Sequence, residues 1–162
     1  LAKATPDPGT LRKSGLALIK QTFVESRDKI QHTVEKEGLS GLAAARALYP
    51  LLADRIIVGD VFNPTAELRG GFDVVLEHTC MSGLHPSLRA SYRRGIDLTL
   101  RPGGLLIGVW FINPDLDPDE EGPPFPFSVI ALTALFADGY AIVDDYVPDV
   151  SFSGREGRER SG

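Results

Sequence analysis

The sequence predicts an α/β fold, a mainly parallel sheet with helices on both faces, from three observations. From residue 55 onward, short β-branched runs alternate with helix-length amphipathic runs, in the order strand, strand, helix, strand, helix, strand. The run "GLLIGVWF" (104–111) is apolar almost throughout, the pattern of a strand buried on both faces of a parallel sheet. Just before it, "HPSLRASYRRGIDLTL" (85–100) places Leu88, Tyr92, Ile96 and Leu100 at four-residue steps, one face of a crossover helix.

Taken in order, residues 1–10 ("LAKATPDPGT") hold prolines and a glycine without periodicity and read as a flexible arm. Residues 11–54 read as a helical N-terminal segment. From Leu11 to about Glu37, the apolar residues Leu16, Ile19, Phe23, Ile30 and Val34 fall mostly at three- and four-residue steps, giving one amphipathic helix or two. "SGLAAARALYPLL" (40–52) is alanine-rich, with Ser40 as its expected N-cap and Pro50 near its end. The α/β domain then spans 55–150. "RIIVGDVF" (55–62) reads as a short strand stopped by Asn63-Pro64, and "GFDVVLE" (71–77) as a second. Gly95 weakens the helix that follows. "RPGG" (101–104) has the order of a tight turn launching the 104–111 strand. A proline- and acid-rich loop (113–126), a helix (128–139) and a strand (140–148) complete the domain. Residues 151–162 read as a charged, mobile tail. No internal repeat is visible.

At 162 residues the chain suits one domain that can bury a real core. A net charge of −5 gives no general attraction to nucleic acid or to an anionic membrane, so neither is an expected partner. The single cysteine, Cys80, excludes an internal disulfide and fits a reducing compartment. No apolar run approaches the roughly 20 residues of a membrane span. Leu1 to Gly9 lacks the apolar centre of a secretory signal, so a cytoplasmic location is the expectation. The chain starts at Leu1 rather than Met, which fits a fragment or a processed product.

The stretch "DVVLEHTCMSGLHP" (73–86) sets an apolar run directly against polar and reactive side chains. In open parallel sheets ligands sit outside the carboxyl ends of the strands, which is where Glu77, His78, Thr79 and Cys80 fall.

Four pieces of the chain, in order, resemble class I S-adenosylmethionine-dependent methyltransferases of the thiopurine, thiol and halide branch. "IIVGDVF" looks like that family's third strand with its Gly-Asp turn. "FDVVLEHTCMSGLHPSLRASYRRGIDLTLRPGGLLIGVWF" looks like its fourth strand, crossover helix and fifth strand. "EGPPFPFS" looks like the branch's Gly-Pro-Pro-aromatic loop, and "GREGRER" resembles the end of many microbial and fungal members. The resemblance implies a Rossmann-like sheet, S-adenosyl-L-methionine as cofactor and a small-molecule thiol, thiopurine or halide acceptor. One departure stands out: residues 1–54 show no strand ending in the glycine-rich loop that wraps the cofactor's methionine end. The nearest remnant is "HTVEKEGLS", in which Glu37 would stand for the ribose-binding acid. Without the first strand the sheet is incomplete on its N-terminal side. Open edges would then await the N-terminal helices or a second copy in a homodimer.

By resemblance, Gly59, Asp60, Val61 and Phe62 line the adenine end of the cofactor, with Asp60 accepting from the exocyclic amine. The alternative for Asp60 is a strand-end turn in which its side chain caps a backbone N–H. Glu77, His78 and Thr79 lie where relatives meet the cofactor's amino acid portion, and Glu77 could pair with its ammonium group or face water in a polar turn. His78 is the one candidate catalytic base toward a thiol. Cys80 reads as a structural thiol, since direct methyl transfer needs no covalent intermediate. His85, before Pro86, reads as a helix-entry residue. Trp110, Phe125 and Phe127 bracket the Pro-Pro loop and would close the acceptor side, while core packing accounts for Trp110 equally well. The acidic string Asp115, Asp117, Asp119, Glu120 and Glu121 lacks the glycine and glutamate of a calcium loop and is interrupted by Pro118, so no metal is expected.

Overall fold

The computed structural model describes residues 29–30, 32–114, 116, 119–149, 151 and 154–162. The expected N-terminal arm, most of the first helix, and Asp115 and Asp117 lie outside the described residues. The chain divides into two compact units, Leu1–Val58 and Gly59–Gly162.

In the first unit, residues 32–37 are helical (α1). Gly38 ends that helix with φ +66°, and its N–H returns to the Val34 carbonyl at 2.9 Å, an arrangement that favours glycine. Helix α2 (Gly41–Leu48) starts where the sequence predicts, because the Ser40 hydroxyl accepts the Ala43 N–H at 3.3 Å. It stops before Pro50, which opens a 3-10 turn over Pro50–Arg55. The Arg46 guanidinium then clamps the Ile56 carbonyl through Nε (3.1 Å) and Nη2 (2.7 Å).

The strand expected at 55–62 does not form. Residues 56–60 have no regular secondary structure and belong to no ladder among the described residues. β-branched composition suits a strand but cannot supply the neighbour that makes one. With no ladder, Ile57 and Val58 remain 56% and 79% exposed.

The second unit carries a three-stranded open sheet of mixed α/β character, in the order β1 (Phe72–His78), β2 (Leu100–Phe111), β3 (Glu159–Ser161). Strands β1 and β2 run parallel, joined through a 3-10 turn at Pro86–Leu88 and helix α3 (Arg89–Thr99). That βαβ crossover is the unit expected from sequence. The Pro-Gly-Gly turn survives as an irregularity inside β2. Phe72 faces Leu100 and Val74 faces Leu105, so Arg101 to Gly104 are taken up opposite a single residue of β1, with Gly103 at φ +77°.

Helix α4 (Val129–Phe136) is capped by the Ser128 hydroxyl, which accepts the Ala131 N–H at 3.1 Å. Tyr92 and Ile96 of α3, Trp110 of β2, Ile112 and Phe127 form one buried cluster, against which Val129, Leu132 and Phe136 of α4 pack.

Two expectations near the C-terminus change. Residues 140–148 make only one bridge, Tyr146 with Ser161, instead of a full strand. Residues 159–161, read as part of a mobile tail, instead form β3, antiparallel to β2. The charges are accommodated one by one. Glu159 is fully buried, with the Arg155 Nη1 at 3.8 Å, and Arg160 forks onto the Asp145 carboxylate. The Arg155 guanidinium lies 4.5 Å over the Phe111 ring.

Candidate functional site

The carboxyl end of β1 is built by strand alternation. Val75 and Glu77 share the face turned to α3, so the polar side chain follows the apolar one inward. Glu77 is 1% exposed. Its Oε1 accepts the Met81 N–H at 2.8 Å and lies 3.5 Å from the Tyr92 hydroxyl, while Oε2 is buried with no hydrogen bond of good geometry. Burial pushes this carboxyl up to about 7, against the opposing pull of the Met81, Cys80 and Thr79 N–H groups and the Tyr92 hydroxyl. Glu77 thus ties down the turn after the strand and does not present its carboxylate to solvent.

That turn is tight. Thr79 holds φ +58°, uncommon for a β-branched residue, while its N–H donates to the Val109 carbonyl at 2.8 Å and its own carbonyl accepts the Ser82 hydroxyl at 2.9 Å. His78 ends β1 half-buried, with Nε2 sealed from solvent. Part of Cys80 reaches the surface, but its thiol sits beside Glu77 and Tyr92. Burial and then the Glu77 charge push it upward, which disfavours the thiolate. Burial and the same carboxylate also raise the Tyr92 hydroxyl.

The 59–62 stretch approaches this cluster from the side. Asp60 is exposed, and its Oδ1 accepts the Phe62 N–H at 2.9 Å, so the backbone-capping role weighed from sequence is present. Gly59 is exposed with open space where a Cβ would point, and Val61 is exposed beside it. The Phe62 ring meets Tyr92 edge-on at 6.3 Å, and Tyr92 in turn meets Glu77. Gly95 explains why α3 tolerates a helix-weakening residue: a Cβ there would lie 1.8 Å from the Val61 carbonyl oxygen. The 59–62 backbone rests directly on the helix.

The aromatic loop reaches the same turn from the opposite direction. The Phe125 N–H donates to the Ser82 carbonyl at 2.7 Å, and the Phe125 ring meets His85 edge-on at 5.4 Å. Arg89, the first residue of α3, donates to the Phe125 carbonyl at 3.3 Å and covers the Phe127 ring at 4.4 Å. Phe127 and Trp110 are both core residues, and Trp110 turns toward Phe136 of α4 at 5.6 Å. Of the three expected acceptor-side aromatics, only Phe125 lies partly open on the loop.

The structure therefore gathers Phe62, Glu77, Thr79 and Phe125 around one turn and sets Trp110 apart. Sequence reasoning missed Tyr92, Ser82, Arg89 and Gly95. Only Gly95, a glycine in a helical pattern, carried a visible signal of close approach. Among the described residues no three His, Cys, Asp or Glu side chains stand close enough to hold a metal ion, and no helix is long and apolar enough to cross a membrane.

No family model and no curated protein matches the chain. A solved structure does: the Burkholderia thailandensis 1,6-didemethyltoxoflavin-N1-methyltransferase, with bound 1,6-didemethyltoxoflavin and S-adenosylhomocysteine. The match has a TM-score of 0.50 at 15% sequence identity and covers 99% of this chain and 90% of that one. The likeness is one of fold: this chain shares the Rossmann-like architecture of a methyltransferase.

Proposed function

We propose that the second unit binds S-adenosyl-L-methionine at the carboxyl end of β1 and transfers its methyl group to a small thiol, thiopurine or halide acceptor. The observation that carries this reading is the join between the two halves of the site. The turn after β1 and the Gly-Pro-Pro-aromatic loop are bonded to each other through Phe125 N–H and the Ser82 carbonyl at 2.7 Å. A cofactor at the strand end and an acceptor under the loop would share that wall. The fold held in common with a methyltransferase supports the same reading.

The residues fit the cofactor at its adenine end. Asp60 is an exposed carboxylate flanked by the apolar Val61 and the half-buried Phe62. They do not fit it at Glu77, whose carboxylate is sealed against Met81 and Tyr92, so no contact to the cofactor's ammonium group is assigned there. When bound, the cofactor supplies an electrophilic methyl group on a sulfonium, open to direct displacement. The chain supplies alignment and exclusion of water. Asp60, Val61 and Phe62 hold the base, Glu77 fixes the turn through Met81, and Phe125 closes the acceptor side. With Nε2 sealed, His78 could take the proton of an acceptor that arrives as a thiol only through Nδ1, whereas a thiolate or halide needs no base.

The test is to incubate the chain with S-adenosylmethionine and, separately, a simple thiol, a thiopurine and iodide. S-adenosylhomocysteine should form one-to-one with a methylated product of at least one acceptor. A folded chain that yields no product with any of the three overturns the proposal.

A second reading is favoured by the unpaired 56–60 segment and by the place of β1 at the edge of the sheet. In it the domain is catalytically silent and joins a second copy through the β1 edge, where Phe72 and Val74 are exposed. Light scattering at twice the chain mass, reduced to one by Val74→Lys, would support this reading. A monomer at all concentrations would remove it.

A further inference from the structure

A cavity lies away from the β1 strand end. It occupies about 170 Å³ between α4, the middle of β2 and the 140–145 segment. None of its lining residues belongs to 59–62, 77–85 or 122–127. Its walls are Trp110, Phe136 and Tyr140, with Leu106, Leu132 and Ile142 filling the gaps.

The walls brace one another. Gly108 lets the Trp110 indole lie across the strand, since a Cβ there would stand 2.0 Å from the ring. Phe136 stacks against Trp110 at a tilt of 49° and meets Tyr140 edge-on at 5.2 Å. The Tyr140 hydroxyl is tied to the Asp97 carboxylate at 2.7 Å, which keeps that ring upright. The cavity exists because residues 140–145, strand-like in sequence, stay off the sheet and leave β3 with a single bridge to Tyr146.

We infer that this cavity is a binding site for a small, neutral aromatic molecule of one ring or two. Size, shape and charge each argue for that class. A volume of about 170 Å³ with mainly apolar walls is large enough for a guest the size of benzene, and the pocket's open side gives such a guest a way in. Three aromatic walls at tilted and edge-on angles favour a flat guest that can stack on one and meet another at its edge. The charged side chains among the lining residues, Arg160 and Asp145, pair with each other through two bonds, which leaves the aromatic walls to select the guest.

Trp110 is the only tryptophan in the chain, so its fluorescence reports on this cavity. The probe is nitrobenzene, a neutral single-ring quencher. Titration should give saturable quenching with a Kd on the order of 0.1–1 mM. Thr133→Phe in α4 and Ala137→Phe just after its end, which fill the cavity from one side, should each weaken binding at least tenfold. Methyl shifts in the wild-type chain locate the guest even where a filled variant does not fold. They should concentrate at Leu106 and Leu132. Quenching that rises linearly without saturation, that is equal in the filled variants, or that comes with methyl shifts centred elsewhere would overturn the inference.

Discussion

Two stretches of similar composition meet opposite fates. "RIIVG" (55–59) and "LLIGVWF" (105–111) are both short, apolar and rich in β-branched residues. The second pairs with β1 on one edge and β3 on the other, and Val109 and Trp110 are 4% and 6% exposed. The first pairs with nothing among the described residues and leaves Val58 largely in water. Strand propensity measures how well side chains fit a pleated surface, and that surface has to be supplied by neighbours. The lesson extends to 140–148, which reads as a strand yet makes one bridge, and to 159–161, which reads as tail yet finds β2 and pairs with it.

The largest expected effect is at the built strand. Trp110→Ala should cost about 3–5 kcal/mol in chemical denaturation, because it empties a packed aromatic position. A loss below about 1 kcal/mol would mean that β2 is no better packed than the unpaired segment.

Next comes Glu77, a carboxylate that the built region buries. Its carboxyl is raised from the ordinary value of 4.5 to about 7 in the folded chain, so the folded state holds its proton more tightly than the unfolded state. Stability should therefore fall as pH rises from about 4.5 through 7, by roughly 3 kcal/mol in all, and remain lower above that. Glu77→Gln should flatten the curve in this window and leave the chain more stable than wild type at pH 8. Thermal melts across pH 4–8 read both effects. A wild-type stability that rises over the same range would contradict the buried placement.

Gly95→Ala is the sharper probe of how 59–62 is seated. The added methyl meets the Val61 carbonyl, and about 1–3 kcal/mol of stability should be lost although alanine is the better helix former. A gain in stability would show that the 59–62 backbone is not held against α3. The smallest effect belongs to the unpaired stretch. Val58→Thr should change stability by less than about 0.5 kcal/mol, and a larger loss would reveal a neighbour for that segment.

Local signals in the sequence were legible and the structure honours them. Ser40 caps its helix, the four-residue steps of Tyr92 and Ile96 face the core, and the parallel β1–α3–β2 crossover follows from two apolar runs flanking a helix. Each depends on residues close together in the chain. What was hidden depends on partners far along it: whether 55–62 finds a neighbour, and whether a charged tail finds neutralising groups. The inward turn of Glu77 lay between these cases. Alternation from Val75 places it on the core face, but its ionisable character argued for water, and only the Met81 N–H and Tyr92 hydroxyl show how burial is tolerated. For Asp60 the sequence offered two roles, adenine contact by resemblance and a strand-end turn capping a backbone N–H, and the bond from Phe62 N–H is that turn.

The measurement that bears most directly on the central claim is a calorimetric titration of the chain with S-adenosylhomocysteine, beside an Asp60→Ala variant whose folding is checked by its melting curve. The proposed function predicts micromolar binding by the wild-type chain, weakened at least tenfold by Asp60→Ala. A folded wild-type chain that releases no heat of binding would contradict it and leave the edge of β1 as the functional surface to pursue.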